Sequence, residues 1–189
     1  MRSLVPGILF LAVLGAVATP PAAGRFDQKL ELQGITFHVS CPNDSSAPTL
    51  KIAPSGLAID NSVMTKELDG HVVLAEVADL NADGSPEIYV YVQSAGSGSY
   101  GSLVAYSANK KRSLSLIHLP PVSENPKASK GYMGHDAFEV VENRFVQRFP
   151  VYRPGDTNVS PTGGMRQLRY QLVPGEAGWV LKLDKVEDL

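Results

Sequence analysis

The sequence predicts an all-β protein, an antiparallel β-sandwich with a flattened β-barrel as the alternative. Three observations carry this. Apolar residues alternate over short segments instead of recurring at helical spacing. Turn formers interrupt those segments throughout, with 17 glycines and 14 prolines in 189 residues. No stretch sustains a helical period. The strands follow in order. Ile35–Cys41 is an apolar run before a Pro42 break, and Val72–Ala78 is apolar up to the acidic Asp79–Glu87 segment. Glu87–Ser94 alternates most clearly, with Ile88, Val90 and Val92 on one face and Tyr89 and Tyr91 on the other. Leu103–Ser107 and Leu114–Leu119 flank the basic run Lys110-Lys111-Arg112. Ala137–Glu142 and Phe145–Tyr152 lie on either side of a Glu142-Asn143-Arg144 turn. Arg166–Val173 has period two and passes through Pro174–Gly178 into Trp179–Leu183, which reads as a hairpin. Pro42–Pro48 and Pro120–Lys130 read as surface loops.

The N-terminus sets the compartment. Arg2 precedes an apolar run from Ile8 to Ala18, and small residues offer cleavage after Ala18 or after Gly24. This is the layout of a secretory signal peptide over residues 1–24, too short to span a bilayer. Cleavage leaves about 165 residues, one domain's worth of chain, over residues 25–189. No second long apolar segment follows, so the cleaved chain is expected to be soluble, without a membrane anchor. The 19 acidic residues outnumber the 17 basic ones, and loss of Arg2 widens the margin, which argues against a nucleic-acid partner. Cys41 stands alone, so no intrachain disulfide can form.

Gly96-Ser97-Gly98-Ser99-Tyr100-Gly101 matches the dinucleotide fingerprint G-x-G-x-x-G in letters only. That motif needs a helix after the loop, and Ser102–Tyr106 reads as a strand. The kinase glycine-loop reading fails because none of its companion motifs follows. What remains is a hairpin tip in which three glycines remove bulk, Ser97 and Ser99 supply hydroxyls, and Tyr100 supplies an amphipathic ring suited to anchoring an interface. Two readings stay open: a probe for a narrow polar cleft, or a flexible loop whose tyrosine folds back onto its own sheet.

Asp79-Leu80-Asn81-Ala82-Asp83-Gly84-Ser85-Pro86-Glu87 places oxygen ligands at alternate positions. It is not an EF-hand, since Val90 stands where the bidentate Glu is required. Either a calcium loop, serving a calcium-dependent carbohydrate-binding or adhesive module, or a plain Asx-type turn satisfies this pattern; the turn is the more economical. His38, His71, His118 and His135 are scattered without metal-ligand spacing. No nucleophile–base arrangement is present, so no enzyme, no cofactor and no resident metal are expected. Asn43 and Asn158 begin Asn-x-Ser sequons.

Residues 79–120 carry a resemblance. Asp79–Glu87, Ile88-Tyr89-Val90-Tyr91 and Ser94–Ser102 are similar to the periplasmic inhibitors of invertebrate-type (I-type) lysozyme of Gram-negative bacteria. The resemblance implies a β-sandwich, a periplasmic location, I-type lysozyme as partner, and leaves a homodimer open. It also implies that Ser97-Gly98-Ser99-Tyr100 enters the lysozyme cleft, Ser97 and Tyr100 making the central contacts, with Arg112 as a further basic contact. It implies no calcium site.

Overall fold

The computed structural model describes residues 24–189. The expected signal peptide lies outside them except for Gly24. The described chain is almost entirely β, in two sheets. The first is antiparallel, in the order β1 (Phe26–Leu32), β2 (Ile35–Cys41), β3 (Thr49–Ser55) and β4 (Met64–Glu67). Gln33 and Gly34 turn β1 into β2 with φ of 54° and 81°, so Leu32 pairs with Ile35; this two-residue turn matches the twist of the strands it joins.

The second sheet comprises two meanders. β5 (His71–Ala78), β6 (Glu87–Gln93), β7 (Gly101–Asn109) and β8 (Ser113–His118) form one; β9 (Ala137–Val141), β10 (Arg144–Pro150), β11 (Met165–Pro174) and β12 (Trp179–Asp188) form the other. They join where Trp179 and Val180 of β12 pair in parallel with Ile117 and His118 of β8, giving the order β5-β6-β7-β8-β12-β11-β10-β9. The outermost strands then approach each other. The Val140 amide of β9 donates to the Glu76 carboxylate of β5 at 3.1 Å, and the Tyr91 hydroxyl donates to the same group. This sheet is a nearly closed barrel, and the first sheet lies against one side of it. Sandwich and barrel, posed as alternatives from sequence, are both present.

β6 sits between the two cores and is buried on both faces. Ile88, Val90 and Val92 face the first sheet, packing with Phe37, Val39, Leu50 and Ile52. Tyr89 and Tyr91 point into the barrel with Phe145, Leu168, Tyr170 and Leu181. Inside it, Phe145 contacts Tyr89, Tyr91, Phe138 and Tyr170 at centroid separations of 5.7, 6.1, 5.6 and 5.9 Å. These rings fill a space that smaller aliphatic residues would leave void.

All nine strands expected from the sequence are found, within a few residues at their ends. β1, β3 and β4 were not expected. β1 and β4 are the edges of the first sheet; their mostly exposed, charged residues lack the apolar alternation that marks a strand yet suit an edge open to water. β3 ends on a proline and a serine that mask its short alternation. The Pro120–Lys130 connection holds a 3-10 turn at Val122–Glu124 and one helical turn, α1 (Pro126–Ser129), whose first amides are capped by the Asn125 side chain at 3.0 Å. Cys41 is buried in the first core, and burial pushes its thiol above the ordinary range. No helix among the described residues is long and apolar enough to cross a membrane.

Candidate functional site

The topology brings three connections to one end of the barrel. β8 runs toward the end where β6 hands over to β7, so the chain from 119 to 136 must cross that end to reach β9. β10 finishes there too, and residues 151–164 return from it to β11. The β6–β7 loop, residues 94–100, stands among these segments.

That loop is built and braced. The Ser94 amide donates to the Tyr100 carbonyl at 2.9 Å, and the Ser99 amide donates to the Gly96 carbonyl at 2.9 Å. The Ser94 hydroxyl accepts from the Tyr100 amide at 2.9 Å. From the flank, the His135 amide donates to the Gly98 carbonyl at 2.8 Å. The Asn158 side-chain amide donates to the Ser97 carbonyl, and its oxygen meets the His135 ring at 3.1 Å. Gly134, at φ +87°, permits the close approach, because a Cβ there would stand 2.2 Å from the Gly98 oxygen. Gly98 makes room for Tyr100, whose ring a Cβ at 98 would meet at 2.5 Å.

The Tyr100 ring rests edge-on against Tyr132, centroids 5.7 Å apart, and Tyr132 packs on buried Phe149 at 4.6 Å. Tyr100 is still 48% exposed. Ala95, Gly96 and Ser97 are exposed as well. The loop is therefore neither laid flat on its own sheet nor loosely hung: its backbone is fixed by neighbouring segments while the Ser97 and Tyr100 side chains reach solvent.

Beneath the loop lies a polar anchor. The Asp136 carboxylate accepts from the Gly101 amide, the Tyr132 hydroxyl and the Gln147 side chain, each at 2.7 Å. Gln147 in turn accepts from the Tyr170 hydroxyl at 2.9 Å. Burial pushes the Asp136 carboxyl above its ordinary range, partly offset by these donors. Burial raises the Tyr132 and Tyr170 phenols as well, so both remain neutral donors.

The structure brings together Ser97, Gly98, Ser99 and Tyr100. It does not bring Arg112 to them. Arg112 is exposed in the β7–β8 turn, at the far end of the nine-residue strand β7, roughly 27 Å away at an ordinary strand rise. Sequence reasoning missed the bracing residues. Gly134, His135 and Asp136 sit in a glycine-broken run with no periodic signal, and Asn158 carried only its sequon. A glycan on Asn158 would disrupt its bond to Ser97. Asn43, the other sequon residue, is buried, its side-chain amide donating to the Val72 carbonyl at 2.9 Å and accepting from the Val72 amide at 3.0 Å.

Residues 57–130 match the family of the periplasmic lysozyme inhibitor of I-type lysozyme. The lysozyme-inhibitor match spans β4 to α1 and contains the whole 94–100 loop, which bears out the resemblance read from residues 79–120. It supports a periplasmic lysozyme inhibitor, and it is a match to inhibitors rather than to enzymes. The braces at Gly134, His135, Asp136 and Asn158 come from chain beyond the matched segment. No curated protein and no solved structure gives a match.

The acidic turn lies at the opposite end of the barrel. Asp79 accepts from the Asp83 and Gly84 amides at 3.0 and 2.9 Å, and Glu87 accepts from the Leu80 amide at 2.8 Å. Glu87 is fully buried. Burial, with Asp79 and Asp83 nearby, pushes its carboxyl up to about 7. Its folded pKa thus exceeds the unfolded one, so the folded state holds the proton more tightly. In chelator-treated buffer, stability should be highest below about pH 4.5 as far as this group is concerned, and fall as pH rises through about 7. The loss is on the order of 3 kcal/mol. Glu87→Gln should flatten that slope in denaturant titrations at pH 5 and pH 8.

Proposed function

We propose that this chain is an exported inhibitor of I-type lysozyme, folded as one domain over residues 25–189, that plugs the enzyme's cleft with its β6–β7 loop. The observation that carries the reading is a rigid loop, inside the family-matched segment, that exposes one hydroxyl and one phenol at its tip. Lysozyme cuts glycosidic bonds with a pair of carboxyl groups in an open cleft. Ser97 donates to one of those carboxylates, a charge-assisted bond stronger than a neutral one. Tyr100 fills the adjoining sugar position and keeps water from that bond. Because neighbouring segments already hold the loop, little conformational entropy remains to be lost on docking, so tight binding does not require a large interface.

Arg112 joins this complex only as a peripheral charge contact, on an enzyme surface that extends along β7. One chain per lysozyme is sufficient for the mechanism; a homodimer would need to leave both loop ends open. Ser97→Ala and Tyr100→Ala should each weaken binding by about 1–4 kcal/mol, read by calorimetry against I-type lysozyme, with circular dichroism showing the fold retained. Wild-type affinity in the double variant would contradict the loop mechanism.

A further inference from the structure

A second site is suggested at the other end of the barrel, independent of the lysozyme-facing loop. Asp79, Asp83 and Glu87 each place one carboxylate oxygen within 4.8 Å of the others. Oxygens sharing a Ca²⁺ at ordinary ligand distances of about 2.3–2.6 Å can stand up to about 5 Å apart, so this spacing is within reach of one ion. Three carboxylates so close repel one another. Among the described residues none of the three joins an ion pair. Their donors are backbone amides and neutral side chains: Gln33 to Asp79 at 2.7 Å, Asn81 to Asp83 at 3.0 Å, Ser107 to Glu87 at 3.3 Å. The nearby Lys111 ammonium donates instead to the Gln33 carbonyl at 2.9 Å.

An independent observation points the same way. The Tyr89 hydroxyl is buried without a hydrogen-bond partner, one of two such side-chain atoms among the described residues, the other being His71 Nδ1. Tyr89 is 0% exposed. It lies two residues from Glu87 on the same face of β6, and its hydroxyl faces the Glu87 carboxylate without closing a well-formed bond to it. A buried phenol left unbonded costs free energy, and here it is aimed at a cluster short of positive charge. Asx-type turns account for the oxygens of Asp79, Asn81 and Asp83, which accept from the amides of Gly84, Asp83 and Ser85 at 2.9, 3.2 and 2.8 Å. They need neither a buried Glu87 nor an unpartnered phenol beside it.

We infer that the β5–β6 turn binds a divalent cation with hard-oxygen preference, Ca²⁺ being the fitting ion, through Asp79, Asp83 and Glu87. Asn81 offers its side-chain oxygen at the alternate position between the two aspartates. A water retained on the ion, as such ions commonly retain, donates a hydrogen bond to the Tyr89 hydroxyl oxygen. The site ties the end of β5 to the start of β6, so occupancy stabilises the barrel without touching the loop at its other end.

The test is titration of the chelator-treated mature chain with CaCl₂ by calorimetry and by thermal unfolding, with NaCl of equal ionic strength as control. Asp83 is exposed, so Asp83→Asn removes one negative charge from the ligand set without opening the core. The wild type should bind one ion with a Kd of about 10⁻⁵–10⁻³ M. Its Tm should rise by about 3–6 °C at ten times Kd. Asp83→Asn should bind at least tenfold more weakly while folding normally. No heat and no Tm shift in the wild type at millimolar Ca²⁺, or binding unchanged in Asp83→Asn, overturns the inference. Lysozyme inhibition should persist in Asp83→Asn, so the two readings fail separately.

Discussion

Gly134→Ala is expected to weaken inhibition of I-type lysozyme at least tenfold while both sheets stay folded. The added Cβ would sit 2.2 Å from the Gly98 carbonyl oxygen, a main-chain atom that no side-chain rotation can move aside. That oxygen is the acceptor for the His135 amide at 2.8 Å, so relief of the clash breaks the bond that fixes the loop tip. The φ of +87° adds strain of its own for a residue with a Cβ. The loop then samples several positions, and binding must first select the competent one. Calorimetry should show the lost affinity, and circular dichroism an unchanged β spectrum. Equal affinity in the variant would mean that the loop works without its brace.

Asp136→Ala should produce the largest loss of stability among single changes near the site, about 2–4 kcal/mol, read as a fall in Tm of roughly 6–12 °C. The substitution leaves the Gly101 amide, the Tyr132 hydroxyl and the Gln147 side chain without their shared acceptor. Two of those donors govern the loop directly: Gly101 begins β7 at its base, and Tyr132 is the surface on which Tyr100 leans. Inhibition measured well below the lowered Tm should therefore also weaken. Asp136→Asn keeps an acceptor oxygen and should recover part of both losses. An inert filler at this position would give neither the loss of inhibition nor the rescue.

The strands of the barrel were legible because their alternation is strong. Ile88, Val90 and Val92 against Tyr89 and Tyr91 announced two different faces, and the structure gives each face its own core. The barrel's closure was not legible, because it depends on β8 meeting β12 in parallel and on Glu76 reaching β9, neither of which leaves a local pattern. β1 and β4 escaped for the opposite reason: edge strands are solvated, and their Asp, Lys and Glu residues resemble a loop. At the site, the chemistry of Ser97 and Tyr100 could be read from composition, since glycines flanking hydroxyls define an exposed tip. What holds the tip could not. His135 and Asn158 act through one main-chain donor and one side-chain amide, at sequence separations where only the fold creates contact. Arg112 illustrates the same limit, since nearness in sequence to Tyr100 is converted by a full-length strand into distance.

The most direct measurement is the initial rate of I-type lysozyme on a soluble oligosaccharide substrate, taken over a range of substrate concentrations and of added protein. A loop seated in the cleft predicts that apparent KM rises with inhibitor while kcat is unchanged, and that Ser97→Ala combined with Tyr100→Ala abolishes the rise. Full activity at stoichiometric excess of the protein, or a fall in kcat at constant KM, would contradict it.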